Sequence, residues 1–156
     1  MTPCQRLGGG SDANGNADDV RWHGAVLAGA LLAAPAWAQE PESVADAQEA
    51  AERWLAQVDA GNYAASWRDG AASFRAAVPQ QQWEATMRQL RGALGSVGDR
   101  ALKSASFTKT LPGLPDGQYV VIQYTTQFAN KEQAVETVTP VREADGSWRV
   151  SGYYIR

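Results

Sequence analysis

Few residues in this sequence have the type and setting for chemistry. Glu136 is the best placed carboxylate, lying mid-run in AVETVTPVR (134–142) on the face of Val138, with Val135 on the other side. Arg91 and Arg100 are the cations able to pair with it. A carboxylate and a tyrosine in a pocket can move protons without histidine when burial shifts their pKa values. The plainer alternative is an exposed ion pair worth under about 1 kcal/mol, and it is the one preferred here. Asp59 and Asp69 fall at predicted helix ends, where capping or solvation is usual. Arg88 and Arg91, at i and i+3, can receive an anion, but Glu84 four residues before Arg88 favours a solvated helix face. Tyr119, Tyr153 and Tyr154 are expected to pack on a sheet rather than line a ligand box. Arg91, Glu136 and Tyr119 are the candidate binding residues. No catalytic set and no metal set is assigned, and no cofactor is expected.

The rest of the inventory narrows the chemistry further. The 156 residues hold one cysteine, Cys4, and one histidine, His23. Ser–His–Asp and Cys–His catalysis need groups that are scarce here, and a Cys/His zinc site or a disulfide framework cannot be built. Lys103, Lys109 and Lys131 sit in polar contexts unsuited to activating a serine. The turns PDG (115–117) and ADG (144–146) are not calcium loops, and no glycine-rich phosphate loop precedes a helix. With 14 basic and 17 acidic side chains there is no basic excess, so nucleic-acid binding is disfavoured and no nucleic-acid partner is expected.

Residues 24–34, GAVLAGALLAA, form a short apolar run after Arg21, followed by Pro35 and Ala36-Trp37-Ala38. A basic flank, an apolar core and an A-x-A triplet make a secretory signal peptide with cleavage after Ala38. The run is well short of the roughly 20 residues a spanning helix needs. No stable membrane span is therefore expected after cleavage. Residues 1–19 are rich in Gly, Asp and Asn and read as a disordered or mis-annotated extension, with Val20 as the expected true start and 20–38 as the leader. The mature chain, Gln39–Arg156, is a single domain without cysteine or histidine, expected in the periplasm or secreted.

Within it, Val44, Ala47, Ala51, Trp54, Leu55 and Val58 recur at helical spacing over 43–60, with Ser43 and Asp46 resembling a capping box and Gly61 at the C-cap. Asn62 reads as the N-cap of a second helix carrying Tyr63, Trp67, Ala71, Phe74 and Val78, which Gly70 can divide. Pro79 opens a third, with Trp83, Met87, Leu90 and Leu94 as its stripe and Gly95 as its end. Strands follow at 100–111 (imperfectly alternating), 119–128, 134–142 and 148–156. In the second strand Val120, Ile122, Tyr124, Thr126 and Phe128 share one face. In the last, Trp148, Val150 and Tyr154 are expected on one face and Arg149, Ser151 and Tyr153 on the other. Pro140 marks an edge or a bulge, and Asp145-Gly146 a hairpin. Helices segregated from an antiparallel sheet define an α+β fold.

The segments WLAQVDAGNYAASW (54–67), FRAAVPQQQWEATM (74–87), LPGLPDGQYVVIQY (111–124), ANKEQAVETVTPV (129–141) and DGSWRVSGYYIR (145–156) resemble the bacterial family catalogued as domain of unknown function 4019. The elements read above are three N-terminal helices and a four-stranded antiparallel sheet; the resemblance implies that this sheet is curved and wraps on a long helix, a cone like those of cystatin and nuclear-transport-factor folds. It implies no activity. Three functions stand as expectations. The preferred one is an exported, non-catalytic domain binding a small ligand or an envelope protein. The alternatives are a histidine-free acid/base enzyme and a homodimeric module pairing through the outer sheet face.

Overall fold

The computed structural model describes residues 39–156. The expectations for the extension and leader concern residues 1–38, outside the described residues. Helix α1 runs Gln39–Asp59, α2 Tyr63–Asp69, α3 Ala72–Ala77 and α4 Gln80–Leu94. Strands β1 (Val97–Thr108), β2 (Tyr119–Phe128), β3 (Lys131–Arg142) and β4 (Trp148–Ile155) follow as an antiparallel meander in sequential order. This is an α+β domain. No helix among the described residues is long and apolar enough to cross a membrane.

The first helix starts four residues before the predicted cap. Pro41 lies in its first turn, where no backbone N–H is needed, so it does not block the earlier start. Ser43 is thus inside the helix rather than capping it. The helix ends as predicted at Gly61, whose φ of 76° suits glycine. Gly61 N–H donates to the Val58 carbonyl and Asn62 N–H to that of Gln57, the paired bonds of a Schellman motif. Asn62 precedes α2 but makes no side-chain cap bond.

The predicted second helix is two. A Cβ at Gly70 would lie 2.6 Å from the Phe74 ring, so only glycine fits there without moving that ring. Ala71 leaves the helix to donate its N–H to the Val150 carbonyl at 2.8 Å, tying the helical layer to β4. Helix α4 closes at Gly95, and the β2–β3 turn seals its end: Asn130 donates from Nδ2 to Ala93 and from its backbone to Leu94.

The space under α1 is filled by aromatic rings. Trp54 meets Tyr153 edge-on at 5.3 Å between centroids, and Trp83 meets Phe74 at 5.0 Å and 90°. Both buried indoles find acceptors at Ser66, Trp54 on its carbonyl and Trp83 on its hydroxyl. The interior that could have been a pocket is thus occupied by the protein's own side chains, with Val120, Ile122 and Val138 of the sheet beneath them. A smaller cluster of Leu94, Phe128 and Ala134 packs separately.

Register shifts interrupt all three strand pairings. Two lie in β1, between Val97 and Arg100 and between Leu102 and Ser104, which accounts for the imperfect alternation of that segment. Another falls between Thr126 and Phe128, beside the β2–β3 turn. The last is opposite Thr139 and Pro140. The pairing runs Val138 with Tyr153, Thr139 with Gly152, then Pro140 with Val150, leaving Ser151 as the extra residue. β3 is an interior strand, so Pro140 marks a bulge and not an edge. The extra residue reverses the side-chain phase of β4. Tyr153 turns to the core beside Val138, while Tyr154 is left half exposed, the reverse of the regular alternation.

Candidate functional site

Two places on the domain bring chemistry-bearing side chains together. The first is a cluster of four charges, buried at Glu136 and Arg91 and reaching solvent at Asp59. Asp59 comes from the last turn of α1, Arg91 from α4, Arg100 from β1 and Glu136 from β3. Glu136 is fully buried, and Arg91 and Arg100 are largely so.

Bulges deliver two of the groups that reach Glu136. The extra residue between Val97 and Arg100 turns Arg100, rather than Asp99, to the core side opposite Thr126. The extra residue in β4 does the same for Tyr153. The Arg100 guanidinium then bridges both carboxylates. Nε donates to Glu136 Oε2 at 2.6 Å, Nη1 to Asp59 Oδ2 at 2.7 Å and Nη2 to Asp59 Oδ1 at 3.0 Å. Arg91 Nη2 donates to Asp59 Oδ1, and its guanidinium lies 5.1 Å from the centroid of the Phe128 ring. Tyr153 OH donates to Glu136 Oε1 at 2.5 Å, and Thr126 Oγ1 to Oε2. With Arg100 Nη2 at 3.3 Å from Oε1, each oxygen of Glu136 accepts two bonds.

The electrostatics follow from this packing. Burial works to lower the Arg100 pKa, but its hydrogen bonds to Asp59 and Glu136 and their charges outweigh that and raise it. Burial pushes the Tyr153 phenol up, reinforced by the Glu136 charge. Burial also pushes Tyr124 up to about 12. Its hydroxyl is buried without a hydrogen-bond partner among the described residues.

The expected exposed pairing of Glu136 is therefore corrected. Glu136 does pair with Arg100, but at full burial, where removing one partner costs far more than a surface pair is worth. Arg91 joins the cluster through Asp59 and does not touch Glu136 directly. Arg88 takes the solvated role, pairing with Glu84 at 2.5 Å. Tyr119 is not brought to the other two. It alternates with Val120 on the opposite face of the sheet, buried there, and its hydroxyl donates to the Pro115 carbonyl at 2.7 Å. Asp59, Tyr153 and Thr126 are the members of the cluster that the sequence analysis left outside it. The signal for Asp59 was its place at a helix C-terminus, where the dipole disfavours an acid unless cations answer it.

The second place is a cleft of about 320 Å³ between α1 and the start of β4, with Asp69 of α2 at one side. Arg53, Trp54 and Gln57 line it from α1, and Trp148 and Arg149 from β4. Gln57 Nε2 donates to Asp69 Oδ2 at 2.7 Å, and Gln57 Oε1 has no partner among the described residues. Among the described residues no group of three or more metal-ligating side chains comes together.

Helices laid on one face of an antiparallel meander, a charge cluster running from buried Glu136 out to Asp59 and a cleft at the side define an α+β domain whose interior is filled by its own side chains. The chain belongs to the family described as "Protein of unknown function (DUF4019)", whose model matches residues 50–153. A protein of Catenulispora acidiphila solved at 2.5 Å is similar in fold, with a TM-score of 0.52 and 13% identity over 77% of this chain and 94% of that one. Aln2 of a Streptomyces species, solved at 1.8 Å, has a TM-score of 0.48 at 16% identity, covering 74% of this chain and 90% of its own. No curated protein matches the chain.

Proposed function

We propose that this is a non-catalytic binding domain that works in the bacterial envelope after its leader is removed, with the α1–β4 cleft as its binding place. One contrast carries the proposal: both Glu136 oxygens are fully engaged, while Asp69 and Arg149 in the cleft have hydrogen-bonding capacity to spare. A general base needs a free lone pair within reach of a substrate proton. Glu136, the strongest candidate for acid/base work, has neither a free lone pair nor contact with solvent. The outer sheet face exposes Thr125 and Gln127 as well as Tyr154, so its polarity does not decide between a ligand and self-pairing, and the cleft is what favours a ligand. The envelope location is supported by the basic flank, apolar run and A-x-A triplet of residues 21–38.

A small-molecule and peptide library screened by thermal shift tests the binding role. Ligands are expected to raise the melting temperature of the wild type and to lose that effect in Trp148→Ala and in the milder Arg53→Gln. Turnover of a hit, or equal shifts in all three proteins, would overturn the proposal. Fractionation with mass measurement of the mature N-terminus should give Gln39 in the envelope fraction. An intact cytoplasmic chain would overturn the location.

A further inference from the structure

We propose that the α1–β4 cleft takes a small zwitterion, an amino acid or dipeptide with an apolar or aromatic side chain; this rests on the binding role above and names its ligand class. The cleft carries both halves of such a recognition. Arg149 has no carboxylate partner among the described residues, and its Nε donates only to Ser147 Oγ at 3.3 Å. Arg53 is held only by the exposed Glu49, a pair that solvent keeps weak. Arg149 is thus open to a carboxylate and Arg53 can exchange its exposed partner for one, for which their planar fork is suited.

The acceptors lie on the same wall. A carboxylate only accepts, so the bond to Asp69 fixes Gln57 with Nε2 toward it and leaves Oε1 as the orphan. Gln57 Oε1 is itself covered, so the acceptor offered to a ligand ammonium or amide N–H is Asp69, whose other oxygen has no partner among the described residues. Asp69 supplies the countercharge for an ammonium. Trp54 and Trp148 provide apolar walls for a side chain, and an indole face also attracts a cation. A simple anion would leave the Asp69 charge unanswered, and a simple cation would meet two arginines. The volume, about 320 Å³, is at the small end of the roughly 300–1,000 Å³ found for ligand sites.

Calorimetric titration with the dipeptide Ala-Phe, its N-acetylated form, its C-terminal amide and benzoate tests this. Ala-Phe should saturate one site, and each blocked form should bind about tenfold or more weakly, the scale of one charge-assisted hydrogen bond. Arg149→Gln should erase the penalty of amidation, and Asp69→Asn that of acetylation, with unfolding midpoints near the wild type. If benzoate or the blocked dipeptides bind as tightly as Ala-Phe, the zwitterion assignment falls and the cleft keeps its role. If neither these probes nor the library gives binding that depends on Trp148, both fall.

Discussion

Glu136 is held by four donors on two oxygens, and the consequences differ according to which is removed. Glu136→Ala leaves the cluster one positive charge in excess beside a buried void, although Arg100 keeps Asp59, and should cost about 3–5 kcal/mol, read as a shift in the urea unfolding midpoint. Tyr153→Phe removes one charge-assisted bond and should cost about 1.5–3 kcal/mol. Tyr124→Phe should be neutral or stabilising, since the hydroxyl it deletes has no partner. A loss as large as that of Tyr153→Phe would mean that Tyr124 holds a bond in solution. Titration gives a second check. Both phenols are raised above the ordinary tyrosine value near 10, so the folded protein holds these protons more tightly than the unfolded chain. Their contribution is fully present below about pH 10 and is lost as pH rises through the folded values, about 12 for Tyr124. Stability should therefore fall from pH 10 upward, and Tyr124→Phe should flatten the early part of that fall. An unchanged slope in this variant would exclude Tyr124 as a cause.

At the scale of elements, glycine placement separates strain from mere flexibility. Gly95 sits at φ 78°, ψ −164°, a region nearly restricted to glycine, and a Cβ there would lie 2.9 Å from Ala129 Cβ. Gly95→Ala should cost about 1–3 kcal/mol or more. Gly92, three residues earlier in α4, has open space around it, and Gly92→Ala should stabilise by about 0.5–1 kcal/mol. Equal effects in thermal unfolding would refute the distinction. The helices were legible because a stripe such as Trp83, Met87, Leu90 and Leu94 survives any small error in its ends. Strand positions were legible too, but not the full face assignment. One extra residue reverses every side chain after it, and nothing in SGYYIR announces that Ser151 is that residue. So Tyr153 and Tyr154 exchanged faces, and with them the proton donor to Glu136. The pairing of Arg100 with Glu136 could be read as a possibility, because a mid-strand glutamate needs a cation. Its burial could not, because burial depends on α1 and α4 closing over that end of the sheet.

Across the described domain, the charge cluster adds to Leu90 a second link between the two apolar clusters. Tyr153 packs on Trp54 and Trp83 of the larger one, and Arg91 lies over Phe128 of the smaller. Four elements from both layers must be in register before Asp59, Arg91, Arg100 and Glu136 can neutralise one another. A buried network of this kind stabilises little in net terms, since desolvation offsets most of the attraction, and its clearest effect is to penalise any wrong register. The distinction between scaffold and site can be tested by replacing the network as a unit. Combining Asp59→Leu, Arg91→Met, Arg100→Met and Glu136→Leu with Thr126→Val and Tyr153→Phe leaves no uncompensated charge or orphaned hydroxyl in the cluster. If the cluster is scaffold alone, this variant should be as stable as the wild type or more so, by up to about 4 kcal/mol, although Glu136→Ala alone is costly. Ligand binding in the α1–β4 cleft should persist, because none of the six positions lines it. Loss of binding in a variant that unfolds cooperatively would instead assign the buried charges a direct part in function, transmitted through the ring of Trp54, which touches both Tyr153 and the cleft.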